Sequence, residues 1–151
     1  DACIHQELCV IACGTTRETW YSCVIGYGDC QVGNKVILSN NGTLAGHVQV
    51  ADYAIISGLT AVHQFCKVGA HSITGGISKI VQDIPPFTIV DGNPSTVRGI
   101  NQVGLQRRGF SDEDIRALRT TYKKLFLKKD TNLTEALKSL DPVVTKNEKG
   151  F

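Results

Sequence analysis

Methionine is absent from all 151 residues, the first position included, and the expectation drawn from this is a processed chain or a fragment of a longer one. No window holds eighteen consecutive apolar residues, which excludes a membrane-spanning helix. There is no basic segment leading into an apolar one at the start, so nothing argues for secretion. The chain also lacks a charge of one dominant sign: 16 basic residues against 14 acidic ones leave a net charge of +2. That excludes the electrostatic footprint of a nucleic-acid or membrane-surface binder. Six cysteines, at 3, 9, 13, 23, 30 and 66, are too sparse for a disulfide scaffold and contain no CxxC pair of the kind a zinc knuckle uses. What is present is ordinary for a packed chain. Apolar residues make up 42 % and charged ones 20 %, enough for a core and too apolar for disorder. The length fits one domain with a small appendage.

The organising signal is a period of six. Stepping by six from Val32 gives Leu38, Leu44, Val50, Ile56, Val62, Val68, Thr74 and Ile80, aliphatic except for one β-branched Thr. Four residues after each comes Val36, Gly42, Val48, Ala54, Thr60, Cys66, Ser72 and Ser78, mostly small. A strict six is neither the 3.6 period of a helix nor the 2.0 period of a half-buried strand. A left-handed parallel β-helix explains it: three short strands make one triangular coil of eighteen residues, and coils stack at about 4.8 Å so that aliphatic columns bury one another. The competing Gly-rich antiparallel domain would show alternation and hairpin dipeptides, which are missing. Residues 32–85 amount to three such coils.

Pro85 and Pro86 cannot donate to a ladder, so the coil is expected to break there. Asp91-Gly92-Asn93-Pro94 forms a turn cluster. Ser111 followed by Asp114 marks a helix start; Ile115, Leu118, Tyr122, Leu125 and Phe126 follow at helical spacing, and Lys128 and Lys129 close against the dipole. A second short helix is expected over 134–140, ended by Pro142, with a loose tail from Lys146. The predicted organisation is therefore an all-β left-handed parallel β-helix over 1–90 and a linker with a small α-helical region over 91–151.

Three stretches carry a more specific likeness: Asp29-Cys30-Gln31-Val32-Gly33-Asn34 leading into Asn40-Asn41-Gly42-Thr43-Leu44-Ala45-Gly46-His47-Val48; Gly58-Leu59-Thr60-Ala61-Val62-His63-Gln64-Phe65-Cys66; and Gln82-Asp83-Ile84-Pro85-Pro86 with Gly104-Leu105-Gln106-Arg107-Arg108-Gly109-Phe110-Ser111. Together they closely resemble the UDP-N-acetylglucosamine O-acyltransferases of lipid A biosynthesis, over about residues 29–130. The resemblance implies a cytoplasmic homotrimer with sites between neighbouring β-helices. It implies transfer of an R-3-hydroxyacyl group from acyl carrier protein to the sugar 3-hydroxyl of UDP-N-acetylglucosamine, with no metal or cofactor. Such chemistry needs a base for the hydroxyl, a donor for the thioester oxyanion and a slot for the acyl chain.

Counting places Asp29 and His47 eighteen apart, hence on successive coils, with His63 sixteen beyond His47 near the same edge. The resemblance makes this ridge catalytic. It implies that His47 positions substrate or acyl donor, that Gly46 offers its N–H to the oxyanion, and that His63 and Gln64 hold the sugar nucleotide and the acyl group. It further implies that Gly76 sets acyl length by leaving room for a longer tail, and that Asn101, Arg107 and Arg108 contact the nucleotide or the acyl carrier. Plainer readings stand beside these. A corner histidine is ordinarily solvated, and His71 is assigned to that class. Three histidines also suggest a metal site, although their spacing offers no convincing ligand set. Arg107-Arg108 also fits a solvated helix start, and Gly75-Gly76 a mere corner.

The chain departs from the family upstream of Asp29. Where the family has His-x-x-His-Asp-Cys, its second His being the general base, this chain reads Ile25-Gly26-Tyr27-Gly28-Asp29-Cys30, with Gly28 in the base position. Extended back, the six-residue frame lands on Gly26 and Trp20, neither a core aliphatic, and the segment from Gly14 to Asp29 is about half a coil short. Ala12-Cys13 and Val103 replace the family's His-Arg and an acidic residue. Alternatives to an active transferase with an altered amino-terminal part are an impaired relative that only binds or trimerises and, less favoured, an N-acyltransferase on the same fold.

Overall fold

The computed structural model describes residues 9–11, 14–16, 19–21, 24–26 and 29–127. Nine two-residue strands follow one another at six-residue intervals: β5 (Gln31–Val32), β6 (Ile37–Leu38), β7 (Thr43–Leu44), β8 (Gln49–Val50), β9 (Ile55–Ile56), β10 (Ala61–Val62), β11 (Lys67–Val68), β12 (Ile73–Thr74) and β13 (Lys79–Ile80). Every third strand pairs in parallel at a register of eighteen, as in Gln31 with Gln49, Ile37 with Ile55 and Thr43 with Ala61. The result is three regular coils with three flat faces, β5-β8-β11, β6-β9-β12 and β7-β10-β13. The expected left-handed β-helix is the fold of this chain.

Two inward positions per six residues fill the core. The aliphatic column from Leu38 to Ile80 is buried throughout, and so is the small column from Val36 to Ser78. The corners between the faces are turned by residues in left-handed conformation. Asp29, Lys35, Asn41, His47, Tyr53, Leu59, Phe65, His71 and Ile77 all take φ between 53° and 65°. A left-handed non-glycine residue costs about 1–3 kcal/mol, so something must hold it. The neighbouring coil does: the N–H of Tyr53, Leu59, Phe65, His71 and Ile77 each donates to the carbonyl of the corner residue nineteen positions earlier, at 2.9–3.1 Å. The left-handed residue of each corner thereby points its side chain outward, and residues eighteen apart stack in columns.

The regular step ends at Pro85-Pro86. Ile84 still bridges Val68, but β14 (Thr88–Gly92) pairs Ile89 with Ile73, sixteen residues apart. The cut corner is tight against Gly69, where a Cβ would lie 2.4 Å from the Pro86 nitrogen. β14 then turns through a cis Asn93-Pro94 bond into antiparallel β15 (Ser95–Ile100), so the expected division at 90/91 falls within a strand. Two helices follow, α1 (Gln102–Arg107) and α2 (Asp112–Tyr122), the latter running into a π-helical turn over Lys123–Leu127. Ser111 and Asp114 make the anticipated reciprocal cap, and Ile115 is the buried residue of α2. The helix end at Lys128-Lys129, the helix over 134–140 and the tail from 146 lie outside the described residues.

Upstream, the solenoid rule changes. β1 (Cys9–Ile11) pairs antiparallel with β4 (Val24–Gly26), and β2 (Gly14–Thr16) with β3 (Thr19–Tyr21). β4 keeps the register of eighteen, Gly26 opposite Leu44, but β3 sets Tyr21 rather than Trp20 opposite Leu38. The frame slips by one residue where the sequence runs short. Among the described residues, no helix is long and apolar enough to cross a membrane.

Candidate active site

The first corner column is Asp29, His47 and Phe65. His47 Nδ1 stands 3.8 Å from Asp29 Oδ2, with the two side chains 51 % and 49 % exposed. On its other side the imidazole lies flat on the Phe65 ring, centroids 4.8 Å apart and planes 6° apart. Gly46 precedes His47 in the turn, and its carbonyl accepts the Phe65 N–H at 3.1 Å. Gln64 occupies the Gly46 position one coil on. His63 comes just before it, its Nδ1 donating to the Gln64 carbonyl at 3.2 Å. Asp29, Gly46, His47, His63 and Gln64 thus belong to one corner. Phe65 escaped the sequence reading, although the same count of eighteen from His47 locates it. Beneath the corner the Cys30 thiol donates to the Ala45 carbonyl at 3.0 Å. Burial pushes that thiol up from its ordinary value, with Asp29 adding to the effect, so it stays protonated and is no nucleophile.

Gly76 lies elsewhere. It follows Gly58 by eighteen on the corner that carries Asn41, Leu59 and Ile77, and a Cβ on it would meet only the Gly58 carbonyl, at 3.5 Å. The arginines lie on the remaining corner, at the end of α1. They close a helix rather than open one, which corrects the helix-start reading: Arg107 is in the last turn and Arg108 is the C-cap. Asn101 is 4 % exposed. Its side chain accepts the Gly104 N–H at 3.1 Å and donates to the His71 carbonyl at 2.9 Å, so it is engaged in holding α1.

His71 is not a solvated corner residue, and that assignment is corrected. Its ring stacks on Tyr53 (4.7 Å, 8°) and on Phe87 (5.6 Å, 16°), with Phe110 edge-on at 5.1 Å. Its Nδ1 meets the Arg108 guanidinium at 3.3 Å. Burial first, and then the Arg108 charge, lower the imidazole to about 4, with Asp52 pulling the other way. Among the described residues no three His, Cys, Asp or Glu side chains are grouped to hold a metal ion. A groove of about 730 Å³ runs along the β5-β8-β11 face between Gln31, Gln49, Lys67 and Asp83; it contains none of the expected site residues.

Comparison with known proteins decides what this arrangement belongs to. Residues 83–150 match the second-domain model of UDP-N-acetylglucosamine O-acyltransferase. The acyl-(acyl-carrier-protein)–UDP-N-acetylglucosamine O-acyltransferase of Verminephrobacter eiseniae is 59 % identical over 131 residues, covering 80 % of this chain and 50 % of the relative. The chain belongs to the UDP-N-acetylglucosamine O-acyltransferase family. Its likeness to the Burkholderia mallei member is 46 % over 141 residues, 87 % of this chain and 53 % of that one. Among solved structures, the acyltransferase of Campylobacter jejuni superposes with a TM-score of 0.71 at 42 % identity, covering 76 % of this chain and 44 % of that one. The Arabidopsis acyltransferase gives 0.74 at 36 %, covering 82 % and 44 %. The chain spans about half the length of the curated relatives it matches.

Proposed function

We propose that this chain carries the acyl-transfer site of its family: it moves an R-3-hydroxyacyl group from acyl carrier protein to the 3-hydroxyl of UDP-N-acetylglucosamine, the first step of lipid A biosynthesis, in the cytoplasm. The observation that supports this most is the His47–Asp29 pair, 3.8 Å apart on an exposed corner, with Gly46 beside it and Gln64 and His63 one coil on. A sugar hydroxyl barely ionises at neutral pH, so its attack on a thioester requires a base in the transition state. With Nδ1 facing a carboxylate, a neutral His47 keeps its proton on Nδ1 and leaves Nε2 as the base. The proton leaves the hydroxyl for Nε2 as the oxygen bonds to the thioester carbon. The oxyanion forms at the Gly46 peptide N–H; collapse then breaks the C–S bond, and the proton returns to the departing thiolate. Asp29 stabilises the imidazolium, and Phe65 holds its plane.

Gly76, Arg107 and Arg108 lie on other corners than His47, so one chain cannot gather all of them around a single substrate. This supports a homotrimer in which a neighbouring chain supplies the phosphate-binding arginines and the acyl slot. Incubating the chain with 3-hydroxyacyl carrier protein and UDP-N-acetylglucosamine should yield a 3-O-acyl sugar nucleotide, identified by mass spectrometry and by the downfield shift of the sugar H3. Hydrolysed acyl carrier protein with no acylated sugar would overturn the reading.

A further inference from the structure

One residue pins both ends of α1. The His71 carbonyl accepts from Asn101, the N-cap, at 2.9 Å, and the His71 ring meets Arg108, the C-cap, at 3.3 Å. A guanidinium only donates, so Nδ1 must be the acceptor and the ring proton sits on Nε2. The ring itself has little freedom, clamped between Tyr53 and Phe87 with Phe110 at its edge. Arg108 in turn lies over the Tyr53 face, its Cζ 5.2 Å from the centroid. A carboxylate in the place of His71 would orient the guanidinium equally well but cancel its charge. A neutral imidazole orients it and leaves the positive charge uncompensated.

We propose that His71 is a positioning residue: its imidazole holds Arg108 over Tyr53 so that the remaining guanidinium N–H donors present an uncancelled charge to the phosphates of the sugar nucleotide. The inference rests on the reading that Arg108 meets those phosphates. Among the described residues, the charged and titratable groups around the ring are Arg108 at the end of α1, Asp52 and the Tyr53 hydroxyl from the preceding coil, and Lys35, whose Nζ is 3.1 Å from that hydroxyl; the residue before β14 and the segment after α1 bring the uncharged rings of Phe87 and Phe110. Protonating His71 removes the acceptor and places like charge beside Arg108, so acid should release the arginine.

The test is calorimetric binding of UDP-N-acetylglucosamine and of uridine to the full chain. His71→Phe keeps a stacked ring and loses the acceptor. It should weaken the sugar nucleotide about tenfold, the scale of a hydrogen bond to a charged group, while uridine binding is unchanged. His71→Gln, which restores an acceptor, should recover part of the loss, and His71→Phe added to Arg108→Ala should cost nothing further. In the unmodified chain the affinity for the sugar nucleotide, relative to uridine, should fall as the pH drops from about 6 to about 4; this holds the proposal to account even if a variant fails to fold. Unchanged affinity in His71→Phe alongside a loss in Arg108→Ala would overturn the positioning role and leave the nucleotide reading standing. Unchanged affinity in both would remove Arg108 from the phosphate site, and the proposal with it.

Discussion

A histidine in this chain takes its character from which corner it occupies. His47 and His71 have the same left-handed backbone, at φ 61° and 57°, and each stacks on a ring eighteen residues away. His47 faces a carboxylate in water. His71 faces a guanidinium inside an aromatic clamp, and burial with that charge lowers it to about 4. An unfolded chain returns it to about 6.5, so between these values the unfolded state binds the extra proton. His71 therefore contributes stability that is present above about 6.5 and lost as the pH falls toward 4. Urea unfolding of the unmodified chain should show its midpoint falling over this window more steeply than in His71→Phe. Equal slopes would mean that His71 titrates normally. Spacing alone could not separate the two histidines, because the partner that sets His71 apart comes from α1, 37 residues further on.

At the scale of elements, the six-residue period made most of the β-helix legible: the alternation of one aliphatic and one small inward residue leaves the chain no other way to bury both columns. Three things were less legible. The corners proved to be turned by large residues in left-handed conformation, since support comes from the neighbouring coil's carbonyls and not from the residue's own size. α1 is too short for a periodic signature, so Arg107 and Arg108 suggested a helix start when they form its end. The amino-terminal strands pair antiparallel, a contact order that a broken repeat announces only as a missing frame. The exit from the coil supplies a test. Gly69→Ala would drive a Cβ to 2.4 Å from the Pro86 nitrogen and should cost about 2 kcal/mol or more, the scale of overpacked backbone. Gly76→Ala meets only ordinary contact at 3.5 Å and should change stability by less than about 0.5 kcal/mol. Chemical denaturation of the two variants checks the contrast; comparable losses would contradict it.

For the whole molecule, the residues expected to form the site do not all fall in one place. Asp29, Gly46, His47, His63 and Gln64 share a corner, whereas Gly76 and the arginines lie on two others; the period implies the separation of Gly76, while α1 sets the place of the arginines. Leu59 and Ile77, 57 % and 73 % exposed among the described residues, stack on one of those corners. Association should cover them and unite the three groups, so sedimentation equilibrium at micromolar concentration should give a trimer; a folded monomer would contradict this.

By the resemblance, Gly28, outside the described residues, stands where the family is expected to carry its base, so the proposed chemistry falls to His47. Losing a positioned base costs about 10²–10⁴ in rate. The unmodified chain should accordingly turn over slowly for its family, and what activity it has should depend on the corner imidazole. The deciding measurement is the single-turnover rate of acyl transfer to UDP-N-acetylglucosamine by the unmodified chain and by His47→Ala, both at saturating acyl carrier protein. A slow rate that falls a further ~100-fold or more in the variant is the predicted result; a fast rate that survives His47→Ala would contradict the account.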